Sequence, residues 1–229
     1  RFRLSDMLCT TKGQVNVSMP GALSIMQENV NQLDEWASKR ETFLSKGKKT
    51  VQAKMLDLLG LEGLPDHKIR IEATGHDSMR EYEQYKFQLI REGEMPVPCI
   101  LIIPSRANAD SPVELRLQEE GKGTYLSEYA NFAAALTEGK ILLLADLRGL
   151  GETTDPAFYT DAKYWNREYR NAMISMHIGR PIMGQRVVDI LTLLDFCSEH
   201  ELLKGHSVKV FVNGIYGPAT IHAAYLDER

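Results

Sequence analysis

The chain has 229 residues, 43% of them hydrophobic and 25% charged, the balance of a globular protein long enough for one large domain or a domain with an extension. A formal net charge of −4 argues against nucleic acid as a partner, since a phosphate-binding surface shows as a basic excess. No apolar run approaches the ~20 residues that a membrane-spanning helix needs, so no membrane span is expected.

Residues 1–23 show no clear periodicity, although Leu4, Met7, Leu8, Val15 and Val17 supply apolar side chains suited to a neighbouring domain. Ser24-Ile-Met-Gln27 is a capping-box pattern. Met26, Val30, Leu33, Ala37 and Leu44 then recur at helical spacing. A second helix is expected from about Thr50 to Leu59, with Gly60 in the stop position. Residues 24–65 therefore read as a helical extension.

The period changes next. His67–Ala73 and Tyr85–Arg91 alternate apolar and polar residues, as half-buried antiparallel strands do. Pro98–Ile103 and Pro112–Leu117 read as strands on either side of a polar loop, and Ser127–Leu136 as a helix. Ile141–Ala145 is continuously apolar, as in a parallel strand covered on both faces. Residues 153–172 form a polar and aromatic excursion containing Trp165 and three tyrosines. The strongest helix pattern follows, opened by Pro181 and carried by Met183, Val187, Ile190, Leu191 and Leu194. Val208–Val212 reads as a short buried strand, followed by a glycine-bounded turn and an apolar helix opened by Pro218. From about residue 95 the order is β-β-α-β-α-β-α, which calls for an α/β sheet with helices on both faces. The three cysteines cannot all pair; Cys99 and Cys197 sit in apolar runs and read as buried thiols, Cys9 is uncommitted, and the compartment stays open.

The last stretch has the strand–turn–helix layout of a nucleophile elbow, where G-x-S-x-G lifts a serine off a central strand. Here it reads Gly214-Ile-Tyr-Gly-Pro218, with no serine, cysteine or aspartate between Val208 and Pro218. Asp146-Leu-Arg-Gly-Leu-Gly-Glu-Thr153, Gly179-Arg-Pro-Ile-Met-Gly-Gln-Arg-Val-Val-Asp189 and Leu193-Leu-Asp-Phe196 resemble the acetyl xylan esterase-like branch of the α/β-hydrolases. Pro96–Pro104 is similar to that branch's strand before the oxyanion loop, and Leu115–Lys122 falls where the branch has its oxyanion turn. The resemblance covers about residues 66–229. It implies an α/β-hydrolase fold with a mostly parallel central sheet flanked by helices and an antiparallel N-terminal strand pair, truncated after the elbow helix. It further implies a carbohydrate-active ester hydrolase of the bacterial two-domain type, periplasmic or secreted and without a cofactor. The implied partners are a plant or microbial polysaccharide and an adjacent hydrolase domain, of which residues 1–23 would be the tail. Arg1 at one end and Arg229 just after the elbow helix make the chain read as a piece of a longer protein.

The elbow departs from the branch in either register: Tyr216 takes the nucleophile position in one, Gly214 in the other. A Tyr216 nucleophile would need a base against a phenol pKa of about 10, whereas Gly214, Ile215, Tyr216 and Gly217 also serve as a purely structural turn. Gln118-Glu-Glu120 replaces the oxyanion turn, and carboxylates at Glu119 and Glu120 would oppose a developing oxyanion or, more simply, face solvent. Asp146 and Arg148 end a central strand where such sheets bind ligands; the plainer reading pairs Arg148 with a nearby carboxylate. Tyr164 and Trp165 suit a sugar-stacking platform, or else pack the excursion itself. The six histidines lie at no metal-ligand spacing, so no metal site is expected.

Overall fold

Ser24 caps the helix that its box pattern predicts. Its hydroxyl accepts the Gln27 N–H at 3.2 Å and the Gln27 side chain accepts the Ser24 N–H at 2.9 Å, satisfying two donors orphaned at a helix start. A 3-10 turn at Leu4–Met7 and the short helix α1 (Val15–Ser18) precede this helix, α2 (Ile25–Leu44), and α3 (Lys48–Leu58) follows it. The computed structural model describes residues 2–156 and 167–229. Its chain divides into two units, Arg1–Val51 and Gln52–Arg229. None of residues 2–51 is buried.

The second unit is built on a six-stranded sheet of β1 (Arg70–Ser78), β2 (Tyr82–Ile90), β3 (Val97–Pro104), β4 (Val113–Leu117), β5 (Ile141–Ala145) and β6 (Val208–Val212), in the order β1-β2-β3-β5-β4-β6. The continuous apolar run of β5 has the expected cause. Its odd-numbered residues join Leu101 and Leu115 against Val187, Ile190 and Phe196 of α7 (Ile182–Glu199) and Ala219 and Ala223 of α8 (Gly217–Leu226). Leu142 and Leu144 face the other way, onto Tyr125 of α4 (Lys122–Ser127) and Ala135 and Leu136 of α5 (Tyr129–Thr137). A period of two thus feeds two cores from one strand. The remaining described helix is α6 (Arg167–His177).

Three expectations are adjusted. Parallel pairing does not dominate: β1–β2, β2–β3 and β3–β5 are antiparallel, and only β4–β5 and β4–β6 are parallel. The helix expected over 127–136 begins later, as α5 at Tyr129, and a further helix, α4, precedes it; the two part at Glu128, whose ψ of 72° leaves the helical region, and Ser127 turns its hydroxyl back onto the Thr124 carbonyl at 2.7 Å. β6 is not buried. Among the described residues it lies at the sheet edge, paired with β4 alone, and Val210, Phe211 and Val212 are each more than a third exposed. The excursion over 157–166 lies outside the described residues.

Candidate functional site

β4 and β6 are parallel and in register, with Leu117 opposite Val212, so the turns that follow them emerge side by side. After β6 the extended Asn213 donates its N–H to the Leu117 carbonyl at 2.9 Å, prolonging the pairing. Gly214 then takes φ +69°, a 3-10 turn runs Gly214–Tyr216, and α8 begins with Pro218 in its first turn, where a missing N–H costs nothing. From the turn after β4, Glu119 reaches across and its Oε2 accepts the Ile215 N–H at 3.2 Å. A β-carbon placed on Gly214 would lie 1.9 Å from that oxygen and 2.8 Å from the Glu119 Cβ. The space above the left-handed residue is therefore filled by a carboxylate. Beside it, Gln118 Oε1 is buried with no hydrogen-bond partner among the described residues, and Glu120 faces solvent.

Asp146, the residue after β5, is buried and fully engaged. Its Oδ1 accepts the Lys122 backbone N–H at 2.7 Å, and its Oδ2 accepts the Lys122 ammonium at 2.6 Å and the Glu152 N–H at 3.0 Å. Gly151 closes this cradle, since a β-carbon there would fall 2.2 Å from the Asp146 carboxyl carbon. Lys122 also pairs with the exposed Glu152 at 2.5 Å. Burial alone would lower the Lys122 pKa; hydrogen bonds and charge from Asp146 and Glu152 outweigh it, and the net shift is upward. The lysine is held charged, as a tie between the β4 and β5 turns rather than a base.

Arg148 turns away from that pair and into α7. Its Nε meets both Asp189 oxygens, at 3.1 and 2.9 Å, its Nη2 meets Oδ1 at 2.5 Å, and its backbone N–H meets Oδ2 at 3.0 Å. Nη1 takes Glu94 at 2.9 Å and Gln185 at 3.0 Å. Burial opposes the guanidinium charge, but Asp189 and Glu94 more than restore it. Arg186 extends the network to the Arg148 carbonyl at 3.1 Å and to Glu168 at 2.6 and 2.8 Å. Its guanidinium also lies 5.3 Å from the Tyr216 ring centre.

Tyr216 has no exposed surface and donates its phenol to the Leu147 carbonyl at 3.2 Å. Burial pushes its pKa up, with Asp146, Asp189 and Glu168 adding to the rise and Arg186 opposing it. Its backbone, at φ −81° and ψ −15°, is ordinary helix. A cavity of about 240 Å³ opens beside Arg148 and Gly149, walled by Thr153, Asp155, Asn171 and Ile182.

Of the residues singled out in the sequence, Glu119, Gly214 and Ile215 come together after β4 and β6, while Asp146, after β5, is held by Lys122 and Glu152. Arg148 and Tyr216 face the core instead, and Tyr164 and Trp165 lie outside the described residues. Lys122 and Arg186 escaped notice, for a lysine after Gly121 and an arginine inside a helix look like ordinary surface cations. Only their carboxylate partners, 24 and 18 residues away, give them meaning. Among the described residues no group of three His, Cys, Asp or Glu side chains is placed to hold a metal ion, and no helix is long and apolar enough to cross a membrane.

A mixed sheet covered by helices on both faces, with a strand–turn–helix at the carboxyl end of β6, is the α/β-hydrolase fold. Several solved structures share it. A candidate acetyl xylan esterase of Bacteroides fragilis superposes with a TM-score of 0.63 at 14% identity, over 79% of this chain and 50% of that one. A glucuronoyl esterase of Solibacter usitatus gives 0.56 at 12% identity, over 82% and 57%. The acetyl xylan esterase of Paenibacillus sp. R4 gives 0.53 at 18% identity, over 78% and 55%. At these identities the likeness is one of fold, and the chain spans little more than half the length of those proteins. No family model matches the sequence, and no curated protein sequence matches it.

Proposed function

We infer that the chain is an α/β-hydrolase-fold module of a carbohydrate-esterase-like protein, with the framework of an ester hydrolase and no nucleophile of its own. One observation carries this reading: the left-handed residue of the elbow turn is Gly214, and the Glu119 carboxylate fills the space a side chain there would need. In this fold the residue after the nucleophile lends its N–H to the oxyanion hole. The corresponding N–H here, on Ile215, is already bonded to Glu119. A negative charge at that point would repel an oxyanion instead of stabilising it. The names of the structural neighbours, acetyl xylan and glucuronoyl esterases, support carbohydrate esters as the substrate class of the parent framework. The same filled elbow favours, as a second reading, a module that binds a plant or microbial polysaccharide or supports an adjacent hydrolase domain without chemistry.

The test is hydrolysis of p-nitrophenyl acetate and acetylated xylan by the purified chain and by its Tyr216→Phe variant, alongside affinity electrophoresis on xylan. No rate above background is expected from either protein. Retardation on xylan would favour the binding reading over the supporting one. A clear rate that Tyr216→Phe abolishes would make Tyr216 catalytic and overturn the proposal.

A further inference from the structure

The turn that carries Gly214 also sets up a reaction of the chain with itself. Of the eight asparagines only Asn213 is followed by glycine. The backbone nitrogen after an asparagine can attack the side-chain amide carbon and close a five-membered ring, which makes asparagine a thermolabile residue. A side chain on the following residue shields that nitrogen and restricts its backbone; glycine does neither.

The fold leaves both reacting groups free. Among the described residues neither the Asn213 side chain nor the Gly214 N–H has a hydrogen-bond partner, and both residues are exposed. The bonds that hold the turn lie on either side of them. The Asn213 N–H is bonded to the Leu117 carbonyl at 2.9 Å, and the Ile215 N–H to Glu119 at 3.2 Å. Asn213 is extended, at φ −126° and ψ 144°, which holds the Gly214 nitrogen away from its side chain. Ring closure turns the peptide unit between the two residues. Rotation about the Asn213 Cα–C bond is taken up by an opposite rotation about the Gly214 N–Cα bond, so the flanking bonds stay in place. Gly214, now at φ +69°, has the conformational range for that turn.

We propose that Asn213 is a modification site, at which the chain deamidates spontaneously through a cyclic imide with Gly214. The Gly214 nitrogen bonds to the Asn213 Cγ, and the side-chain nitrogen leaves as ammonia, carrying the Gly214 proton. Water then opens the imide. Cleavage between Cγ and the Gly214 nitrogen gives aspartate on an unchanged main chain. Cleavage between the main-chain carbonyl carbon and that nitrogen gives isoaspartate, with the main chain rerouted through Cγ. Either product sets a new carboxylate beside the one that Glu119 already brings to this turn, and like charges there repel. Isoaspartate also lengthens the link to Gly214, shifting the glycine from where Glu119 packs against it.

Peptide mapping by mass spectrometry of the full 229-residue chain, kept folded at pH 8 and 37 °C, tests this. The peptide containing Asn213 should gain the single mass unit that separates a hydroxyl from an amino group, and should split into aspartate and isoaspartate forms. It should do so before any other asparagine reacts. Its rate should lie within about tenfold of that in the urea-denatured chain, because no hydrogen bond in the folded turn ties up either group. Asn213→Gln, whose longer side chain would have to close a larger ring, should stay unmodified at this position. An Asn213 that persists in the folded chain while the denatured chain reacts, another asparagine that reacts first, or a product without isoaspartate would each overturn the proposal.

Discussion

Glu119 and Gly214 share one volume: the carboxylate of the first stands 1.9 Å from where a β-carbon on the second would be. The two residues are 95 positions apart in the chain and meet because β4 and β6 are adjacent, parallel and end together at Leu117 and Val212. Each makes room for the other. The glycine after β6 and the acidic residue in the turn after β4 are therefore one feature, not two.

Gly214→Ser should consequently destabilise the protein and create no esterase. A serine at φ +69° is strained, and its Cβ collides with Glu119. Together these should cost about 2–4 kcal/mol in urea unfolding. Adding Glu119→Gly should return the steric part and leave about 1–2 kcal/mol of backbone strain. Equal stability of the single and double variants would show that the two residues are not coupled.

Tyr216→Phe should lower stability by about 1 kcal/mol, the worth of the lost hydrogen bond to the Leu147 carbonyl. The ring itself stays packed, so the near-ultraviolet spectrum of the remaining aromatics should not change. A loss above about 3 kcal/mol would mean that the phenol does more than satisfy that carbonyl.

Arg148→Ala should be strongly destabilising. It strands Asp189, itself 1% exposed, without its cation, a loss of about 3–5 kcal/mol. Replacing both by apolar residues, Arg148→Met with Asp189→Leu, should cost clearly less than the single change, and a double-mutant cycle in guanidinium reads the difference. Additive losses would count against a buried, mutually dependent pair.

The thiols should sort by burial. At pH 8 Ellman's reagent should label Cys9 alone in the folded chain and all three cysteines in denaturant, since Cys99 and Cys197 are buried. Burial pushes the Cys197 thiol up to about 12, well above its ordinary 9.0, with Arg229 pulling weakly the other way. A thiol that keeps its proton in the fold after the unfolded chain has lost it contributes stability that is intact below pH 9.0 and falls away as the pH climbs towards about 12. Rapid labelling of more than one thiol under native conditions would contradict this arrangement.

The β6 edge should make the chain prone to slow association. Val210 and Val212 are 37% and 38% exposed on a strand with one unpaired side, the geometry that recruits another strand. Val210→Lys with Val212→Lys should suppress growth of large species in light scattering at 37 °C. Unchanged growth would direct attention away from this edge.

Periodicity made much of this legible in advance. The capping box at Ser24, the all-apolar β5, the Pro181-led α7 and the Pro218-led α8 each follow from local rules that need no knowledge of neighbours. That no serine, cysteine or aspartate stands in Gly214-Ile-Tyr-Gly-Pro218 is likewise plain from the sequence alone. Tertiary structure decided what pairing and partnership decide. Alternating residues mark a strand but not its neighbour, so β5's place between β3 and β4, and β6's place at the edge, appear only in the assembled sheet. Charged residues reveal that they are ionic but not with whom. Asp146 and Arg148, two residues apart and alike candidates for a ligand site, part company only when Lys122 takes one and Asp189 the other. Glu119 is exposed, as an acid there is expected to be, but its bond to the Ile215 N–H appears only once β4 and β6 bring it over Gly214, because the energy of a charge depends on what stands a few ångströms away, and that separation is set by the fold.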